Sequence, residues 1–388
     1  MKVIRTFHPV GQGAFYSERF YEDGRHEAKY NIVYDCGTSW GSIVKAKKVV
    51  TQAFNKEDVI DYLFISHLDY DHISLVLTLI NQVRYVRRIV LPLVQIDDID
   101  AGIALNRISN HDDTVEFLQM ISDFVHGVGD NRLAQNDTMF FFVGENEEKG
   151  LPNAQLWGNG ESKYVDRELE WELIPYNIKL QDRKEELIME LNKLLHDDKL
   201  MKKLDEYSST LPSSGAGLYD QLKEPEFVKK VIASKELKNA IKLAYEKVTG
   251  GVNANSLLLY SGPASLDSGY KVRYCSDYGA FFRYRRPGCL YTGDANCELP
   301  EWMTQQKFNR VWESIGTIQL PHHGSLASFD IDANPINRFY VFPVSCGNTN
   351  SYGHPSGKVL AYLMANNCMP RIVTESESTI YMQQIEKI

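Results

Sequence analysis

The sequence predicts a mixed α/β protein, and three features of the chain support that prediction. In residues 1–95, strand-like apolar runs alternate with candidate helices. Residues 181–248 are strongly charged, with leucines and valines at helical spacing, and strand-like runs resume after Gly250-Gly251. We therefore expect 1–180 and 251–388 to be two halves of one domain, interrupted by an inserted helical segment at 181–250.

The elements of the first half follow from local patterns. Residues 1–7 alternate as a strand, and residues 73–80 have helix-compatible apolar spacing. Residues 95–124 are mixed and acidic, which predicts a loop followed by a helix at 115–124. Further strands are predicted from short apolar runs, at 28–34, 59–65, 88–93, 138–143 and 170–174.

The predicted insert has two groups of apolar residues at helical spacing, with a break at 208–217 between them. Its simplest interpretation is a set of amphipathic helices packed on the host domain. A lid, a dimer surface and a docking site for a protein partner are the alternatives. The apolar positions are Leu187, Leu191, Leu194, Leu195, Val228, Val231, Ile232, Leu237, Ile241 and Ala244.

Composition indicates an ordinary globular protein. Apolar residues make up 43% of the 388-residue chain, enough for a large core. The net charge of −9 disfavours a surface that attracts nucleic acid everywhere, although a local groove remains compatible with it. Six cysteines without a C-x-x-C pair indicate reduced thiols. With no apparent membrane span or signal peptide, the expected location is the cytoplasm.

The most informative segment is Ser66-His67-Leu68-Asp69-Tyr70-Asp71-His72, between a predicted strand and a predicted helix. In an extended loop His67 and Asp69 point one way, whereas Asp71 and His72, entering the helix, point toward a second spot nearby. Two metal ions suit that arrangement. The alternative, aspartates that cap the helix, requires one carboxylate and explains neither histidine.

Further blocks occur along the chain in a fixed order: V-G-Q-G at 10–13, Y-D-C-G at 34–37, N-A-N-S-L at 253–257, T-G-D at 292–294, P-H-H-G-S at 321–325 and G-H-P at 353–355. Together with H-x-D-x-D-H they resemble the metallo-β-lactamase fold. Aspartate in place of the usual middle histidine resembles its ComEC-like subgroup, which includes hydrolase domains of DNA-uptake proteins and phosphorylcholine esterases.

The resemblance implies a four-layer αββα sandwich with a metal-dependent hydrolase site at one edge. It implies that His67 and Asp69 hold a first ion, Asp71 and His72 a second, and that Asp294 bridges them. One histidine of the H-H pair completes the ligand shell of the second ion, and we favour His322 for this position. His323 then faces the substrate or donates a hydrogen bond to a metal ligand. The expected catalytic residues are Asp71, His323 and His354.

The cofactors are expected to be two divalent ions, Mn²⁺ or Zn²⁺. Three aspartates form a harder ligand set than histidines alone, which favours Mn²⁺ over Zn²⁺. The resemblance places Asn253 and Asn255 at the position of a missing ligand, and both are candidate substrate-binding residues. For Asn255 a backbone hydrogen bond in a turn is an equal alternative. His354, in its G-H-P turn, is expected either to donate a proton or to bind a phosphate oxygen, the alternative being a surface residue.

Residues 268–286 interleave cations with aromatics, which suits a single-stranded nucleic-acid surface that uses Arg283, Arg285 and Arg286. A β-hairpin with aromatic residues inside and arginines outside explains the same pattern and is slightly favoured.

The leading functional hypothesis is a phosphodiesterase or nuclease that uses a dinuclear metal-activated water on DNA, RNA or a nucleotide. The alternatives are a hydrolase of another phosphoester, as in the phosphorylcholine esterases, and a subunit of a multi-protein system. In that last case the insert binds a partner and the metal site is structural or partner-activated.

Overall fold

A computed structural model describes residues 1–39, 42–128, 133, 136–145, 151–179, 181–207, 217–248, 255–275, 283–284, 286–304 and 306–387. Within these residues the chain forms two large β-sheets and a two-stranded ladder, with helices packed on them, so the mixed α/β prediction is confirmed. No helix in these ranges is long and apolar enough to cross a membrane.

The strands are numbered in chain order. They are β1 Lys2–Phe7, β2 Phe15–Tyr21, β3 Tyr30–Cys36, β4 Val59–Ile60, β5 Tyr62–Phe64, β6 Tyr85–Val86, β7 Arg88–Pro92, β8 Met139–Gly144, β9 Gln155–Gly158, β10 Lys163–Asp166, β11 Trp171–Lys179, β12 Asn255–Pro263, β13 Tyr270–Cys275, β14 Arg283–Tyr284, β15 Gly288–Tyr291, β16 Ile315–Ile318, β17 Val341–Ser345, β18 Met369–Val373 and β19 Tyr381–Lys387.

The helices of the described residues are numbered in the same way. They are α1 Ile43–Ala53, α2 Tyr70–Ile73, α3 Val76–Gln82, α4 Ile96–Ser109, α5 Asp112–Val125, α6 Gln181–Lys193, α7 Asp198–Tyr207, α8 Leu218–Gln221, α9 Pro225–Ala233, α10 Lys235–Lys247, α11 Leu299–Thr304, α12 Gln306–Trp312 and α13 Gly357–Ala365.

The first sheet has the order β14-β13-β19-β1-β2-β3-β5-β7-β8-β9, and the second has the order β10-β11-β12-β15-β16-β17-β18. Strands β3, β5, β7, β8 and β9 run parallel in the first sheet, and β15 to β18 run parallel in the second. The near-continuous apolar sequence of β8, Met-Phe-Phe-Phe-Val, suits a parallel strand covered on both faces.

Three apolar cores hold these elements together. The middle core takes residues from both sheets, including Phe64 of β5 and Leu257 of β12. A second core joins the first sheet to α1, α3, α4 and α5, and a third joins the second sheet to α11, α12 and α13. The two sheets therefore share one core, and each also has a core of its own that includes helices.

One helix of the first half differs from the expectation. Residues 96–109, predicted as a loop, form α4, and the segment predicted as an insert packs against this helix. The insert helices α6 to α10 pack against α4 through a fourth apolar core that includes Ala104, Leu105 and Ile108 of α4. The predicted break between the two helical groups lies mostly outside the described residues.

Candidate metal centre

The metal loop connects β5 to α2 and is anchored to both sheets. The Ile65 amide donates to Val90 O of β7, and the Leu257 amide of β12 donates to Ser66 O. Asp294 and the His322–His323 pair follow the carboxyl ends of β15 and β16. Because the carboxyl ends of parallel strands lie at one edge of a sheet, the fold brings these side chains together on a rigid base.

Glycines allow the loops around the site to approach one another. A Cβ atom on Gly37 would lie 2.5 Å from Asp71 O, and one on Gly13 would lie 2.4 Å from Gly37 O. Gly293 has a φ of +54° and places its backbone against Ser66, where a Cβ would lie 2.7 Å from the Ser66 Cβ. These close approaches explain why the V-G-Q-G, D-C-G and T-G-D blocks need glycine at these positions.

Three imidazoles surround one carboxylate at the centre of the site. His67 Nε2 and His322 Nε2 both lie 3.7 Å from Asp294 Oδ2, and His72 Nε2 lies 3.2 Å from Asp294 Oδ1. Ligand atoms about 2.1 Å from a shared ion stand roughly 3–3.5 Å apart, so this spacing fits ligands around a metal better than hydrogen-bonded pairs. His67, His72 and Asp294 are all buried and form one candidate metal group.

A second group shares His72 with the first. Asp71, His72 and His323 have ligand atoms within 4.8 Å of one another, and His323 Nε2 lies 3.0 Å from Asp71 Oδ2. Asp69 Oδ2 lies 3.6 Å from His67 Nε2, on the side of the first group. The structure therefore places His323 beside Asp71, whereas His322 shares Asp294 Oδ2 with His67.

The histidine pair has an uncommon backbone conformation. His322 and His323 have φ values of +48° and +54°, a region that side chains with a Cβ adopt at a cost of about 1–3 kcal/mol each. The ring contacts that accompany it are specific. His322 Nδ1 lies 2.9 Å from Ser328 Oγ, and His323 Nδ1 donates to Ser345 O at 2.9 Å. Such backbone strain is typical of functional sites.

Asp35, which has no role in the sequence-based predictions, holds His72 directly and His67 through Ser66. Asp35 accepts hydrogen bonds from the Ser66 amide and hydroxyl, both at 2.7 Å, and its Oδ2 lies 2.8 Å from His72 Nδ1. Because the single hydroxyl proton of Ser66 is donated to Asp35, Ser66 Oγ accepts from His67 Nδ1 at 2.9 Å. Both histidines thus carry a proton on Nδ1, which leaves Nε2 of each neutral ring available as a ligand.

Mutual attraction sets the charges in the cluster. Burial alone would raise the pKa of Asp294, but His322 and His72 outweigh it and hold the pKa well below its usual range. Burial opposes the charge of His72, yet Asp294 and Asp35 raise its pKa well above the ordinary value. Burial likewise lowers, and Asp71 then more strongly raises, the pKa of His323.

These directions predict proton release on metal binding. A histidine with a raised pKa is protonated near neutral pH and must lose its proton to become a ligand, so protons compete with the ion. We expect the affinity for Mn²⁺ to fall as the pH is lowered from about 8 to about 6. Calorimetry in buffers with different ionisation enthalpies measures the number of protons released, and an affinity that does not change with pH would contradict this assignment of charge.

A cleft of about 640 Å³ opens over the cluster. Asp69, Asp71, Asp294, His322 and His323 line it directly. The other lining residues are Gln12, Ser39, Tyr70, Glu186, Tyr245, Lys247, Val248, Asn296, Ser325, Ala327, Ser328, Tyr352 and His354. Four of these, Glu186, Tyr245, Lys247 and Val248, come from the segment at 181–250 that was predicted as the insert.

His354 faces the two other histidines at the edge of the cleft. Its ring centroid lies 5.6 Å from that of His322, and Asn350 holds its turn through hydrogen bonds to the His354 amide and carbonyl. Burial and the neighbouring His322 and His323 lower the pKa of His354 to about 4. This imidazole is therefore neutral at pH 7.

Of the predicted substrate residues whose side chains the structure describes, Asn255 and Arg286, neither lines the cleft. Asn255 is buried and donates from Nδ2 to Leu93 O at 3.0 Å, the backbone hydrogen bond given as its alternative. Asn253 and Arg285 lie outside the described residues, and Arg283 is described in its backbone only.

Arg286 is not among the residues that line the cleft. In β13, Tyr270 and Val272 point into the core between the sheets, and Arg273 pairs with Glu386 at 3.2 Å. The described part of this segment thus has the inside–outside pattern of a structural hairpin.

One comparison with known proteins bears on the site. Residues 25–94 match the model of the metallo-beta-lactamase superfamily. The matched segment runs from before β3 through β7 and includes the whole metal loop. It indicates a metal-dependent hydrolase that binds divalent ions, in agreement with the clustered histidines and aspartates. No curated protein matches the chain.

Proposed function

We propose that this protein is a metal-dependent phosphodiesterase of the ComEC-like subgroup, built on a four-layer αββα domain, and that it acts on nucleic acid or a nucleotide. The observation that carries the proposal is the convergence of His67, His72 and His322 on the two oxygens of Asp294. A carboxylate whose two oxygens face different imidazoles is suited to bridge two metal ions.

The ligands divide around this bridge. His67, Asp69 and Asp294 Oδ2 would hold one ion, and Asp71, His72 and Asp294 Oδ1 the other. The remaining imidazoles flank the two groups, His322 beside His67 and His323 beside Asp71. Two divalent ions held by these residues would supply water of lowered pKa and neutralise the charge of a phosphodiester.

The residues of the chain then orient and accept the substrate. A neutral His354 cannot protonate a leaving group at pH 7, but its ring N–H can donate a hydrogen bond to a phosphate oxygen, so we assign it to substrate binding. The cleft has the size of a small-molecule site, which favours a nucleotide, a strand end or a flexible single strand over the middle of a duplex.

A substrate panel tests the proposal. Purified protein is stripped of metal, reloaded, and assayed on single-stranded DNA, duplex DNA, RNA and bis-p-nitrophenyl phosphate. We expect hydrolysis of the small diester and of single strands, with duplex cut least. Hydrolysis of none of the diesters by protein shown to contain metal would contradict a phosphodiesterase, whereas cleavage of phosphorylcholine esters alone would favour the second phosphoester class.

The metal preference is a separate expected result. Mn²⁺ should support faster hydrolysis than Zn²⁺, because the aspartate-rich ligand set is hard. Asp69→His exchanges a carboxylate for the softer imidazole and should shift the optimum toward Zn²⁺. Rates across Mn²⁺ and Zn²⁺ titrations of both proteins measure this shift, and a wild type that is equally active with Zn²⁺ would contradict the argument from ligand hardness.

A further inference from the structure

The last helix of the insert reaches into the metal cleft. Tyr245, near the end of α10, places its hydroxyl 3.4 Å from Asp69 Oδ1. Lys247 and Val248 follow it along the same wall of the cleft, and Glu186 of α6 lines the cleft with them. The insert is therefore one wall of the site as well as a covering of the host domain.

The position of this wall is fixed by contacts away from the cleft. Asp98 of α4 accepts from the Tyr219 hydroxyl at 2.7 Å and from Lys184 Nζ at 2.6 Å, which ties both α8 and α6 to the host. A shared apolar core runs beneath these bonds, with buried residues from α4 and the insert: Ala101, Ala104, Leu105, Ile108, Leu187, Leu191, Val231, Leu237, Ile241 and Ala244. Tyr245 is thus held at Asp69 by a docked subdomain.

The chemistry of the contact gives it a direction. An ionised carboxylate only accepts, so the phenol donates its proton to Asp69 Oδ1. The other oxygen, Oδ2, is the one that faces His67 Nε2 at 3.6 Å. A bond that fixes Oδ1 sets the rotation of the carboxylate and directs Oδ2 toward the metal group, the kind of support that outer hydrogen bonds give to ligands.

The same wall carries a cation. Lys247 is the one lysine or arginine among the described residues that line the cleft, where Asp69, Asp71, Asp294 and Glu186 are acidic. Its Nζ lies 3.3 Å from Glu190 Oε2, and the side chain is more than half exposed, at 56%. An exposed ammonium at the mouth of an acidic cleft suits a substrate phosphate, which gains a charge-assisted contact there.

We propose that the helical insert is part of the active site: Tyr245 is a positioning residue for Asp69, and Lys247 contacts the phosphate of a phosphodiester substrate. This inference rests on the proposed function. It gives the insert a role in metal binding and substrate recognition in addition to covering the host domain.

Tyr245→Phe tests the positioning role and keeps the ring. We expect the affinity for Mn²⁺, measured by calorimetry, to fall about 10–100-fold, the usual loss when a supporting hydrogen bond to a ligand is removed. Tyr219→Phe is the matched control, because it removes a tyrosine–aspartate bond in the same insert outside the cleft. It should lower the melting temperature and leave Mn²⁺ affinity unchanged, because Lys184 and the apolar core still hold the insert on α4.

Lys247→Gln tests the substrate contact. We expect KM for bis-p-nitrophenyl phosphate to rise about tenfold with kcat nearly unchanged, since a charge-assisted hydrogen bond is worth roughly that factor. Lys193→Gln is its control. Lys193 also pairs with Glu190 but does not line the cleft, and its replacement should leave both constants as they are.

The outcomes separate this inference from the proposed function. A wild type that binds no divalent ion, or hydrolyses no diester, contradicts the proposed function and this inference with it. A wild type that does both, with Mn²⁺ affinity unchanged in Tyr245→Phe and KM unchanged in Lys247→Gln, overturns the inference alone. Equal losses of Mn²⁺ affinity in Tyr245→Phe and Tyr219→Phe would also overturn it, because the effect would then come from docking of the insert.

Discussion

Replacing Asp294 by alanine is expected to lower the rate of diester hydrolysis by at least about 1,000-fold and to remove most of the bound metal. The side chain supplies both oxygens between His67, His72 and His322, and in the proposed site it would hold both ions, so its loss affects both at once. Metal stabilisation of a developing phosphoryl charge is worth several kcal/mol, which corresponds to that factor in rate. Elemental analysis and a bis-p-nitrophenyl phosphate assay measure the two effects.

The specificity of this loss needs two comparisons. Asp332→Ala removes an exposed aspartate from a turn that does not line the cleft, and it should retain full metal content and activity. Asp71→Ala affects one group only, and we expect it to remove most of the activity while keeping part of the metal. Wild-type hydrolysis by Asp294→Ala would be incompatible with a dinuclear mechanism.

Local sequence indicated the metal loop because its ligands are nearly consecutive. Six residues from His67 to His72 carry four metal-capable side chains, and the strand and helix on either side have simple apolar patterns. The distant partners, Asp294 and His322, have no such density. Their place at the site depends on two strands in another sheet, so only the resemblance of the T-G-D and P-H-H-G-S blocks predicted it.

Helix α4 shows why part of the fold escaped prediction. Nine of its residues are buried, and they belong to two different cores: Ile99 and Ile103 pack in the core of the first sheet, whereas Ala104 and Leu105 pack against the insert. A helix buried on opposite sides has no single apolar stripe, so its pattern lacks the helical period. Its first turn is acidic, which also favoured the prediction of a loop.

The contact of the insert with the metal cleft could not be predicted from the sequence, for a related reason. Apolar spacing predicts which face of a helix is buried, but it does not predict which part of the host that face meets. Tyr245 sits in a charged, amphipathic sequence that resembles a surface helix. Its contact with Asp69 arises from the docking of α6 and α10 on α4, which spacing along the chain does not encode. The segment at 268–286 shows the opposite difficulty. Its interleaved cations and aromatics fit a nucleic-acid surface, but they are also the pattern of a β-hairpin with arginines outside.

Asparagine at position 35 is expected to reduce activity and Mn²⁺ affinity about 10–100-fold while the fold persists. Asp35 Oδ2 accepts hydrogen bonds from the Nδ1–H of His72, at 2.8 Å, and from the Ser66 hydroxyl, at 2.7 Å. An amide offers one acceptor oxygen, and its NH₂ group cannot accept from an Nδ1–H. With the NH₂ group facing it, His72 would take the tautomer that carries its proton on Nε2, the atom needed for the ion.

Backbone strain does not explain this expected loss, because the φ of Asp35 is +55°, a conformation that asparagine tolerates better than most residues. Asp61→Asn is the matched control. Asp61 is also a buried carboxylate of the first half, accepting from the Asn31 amide and from Arg87, but it has no contact with the ligands. We expect Asp61→Asn to lower the melting temperature and to leave Mn²⁺ affinity intact. If Asp35→Asn behaved in the same way, with lowered stability and unchanged metal affinity, Asp35 would support the fold without selecting the tautomer of His72.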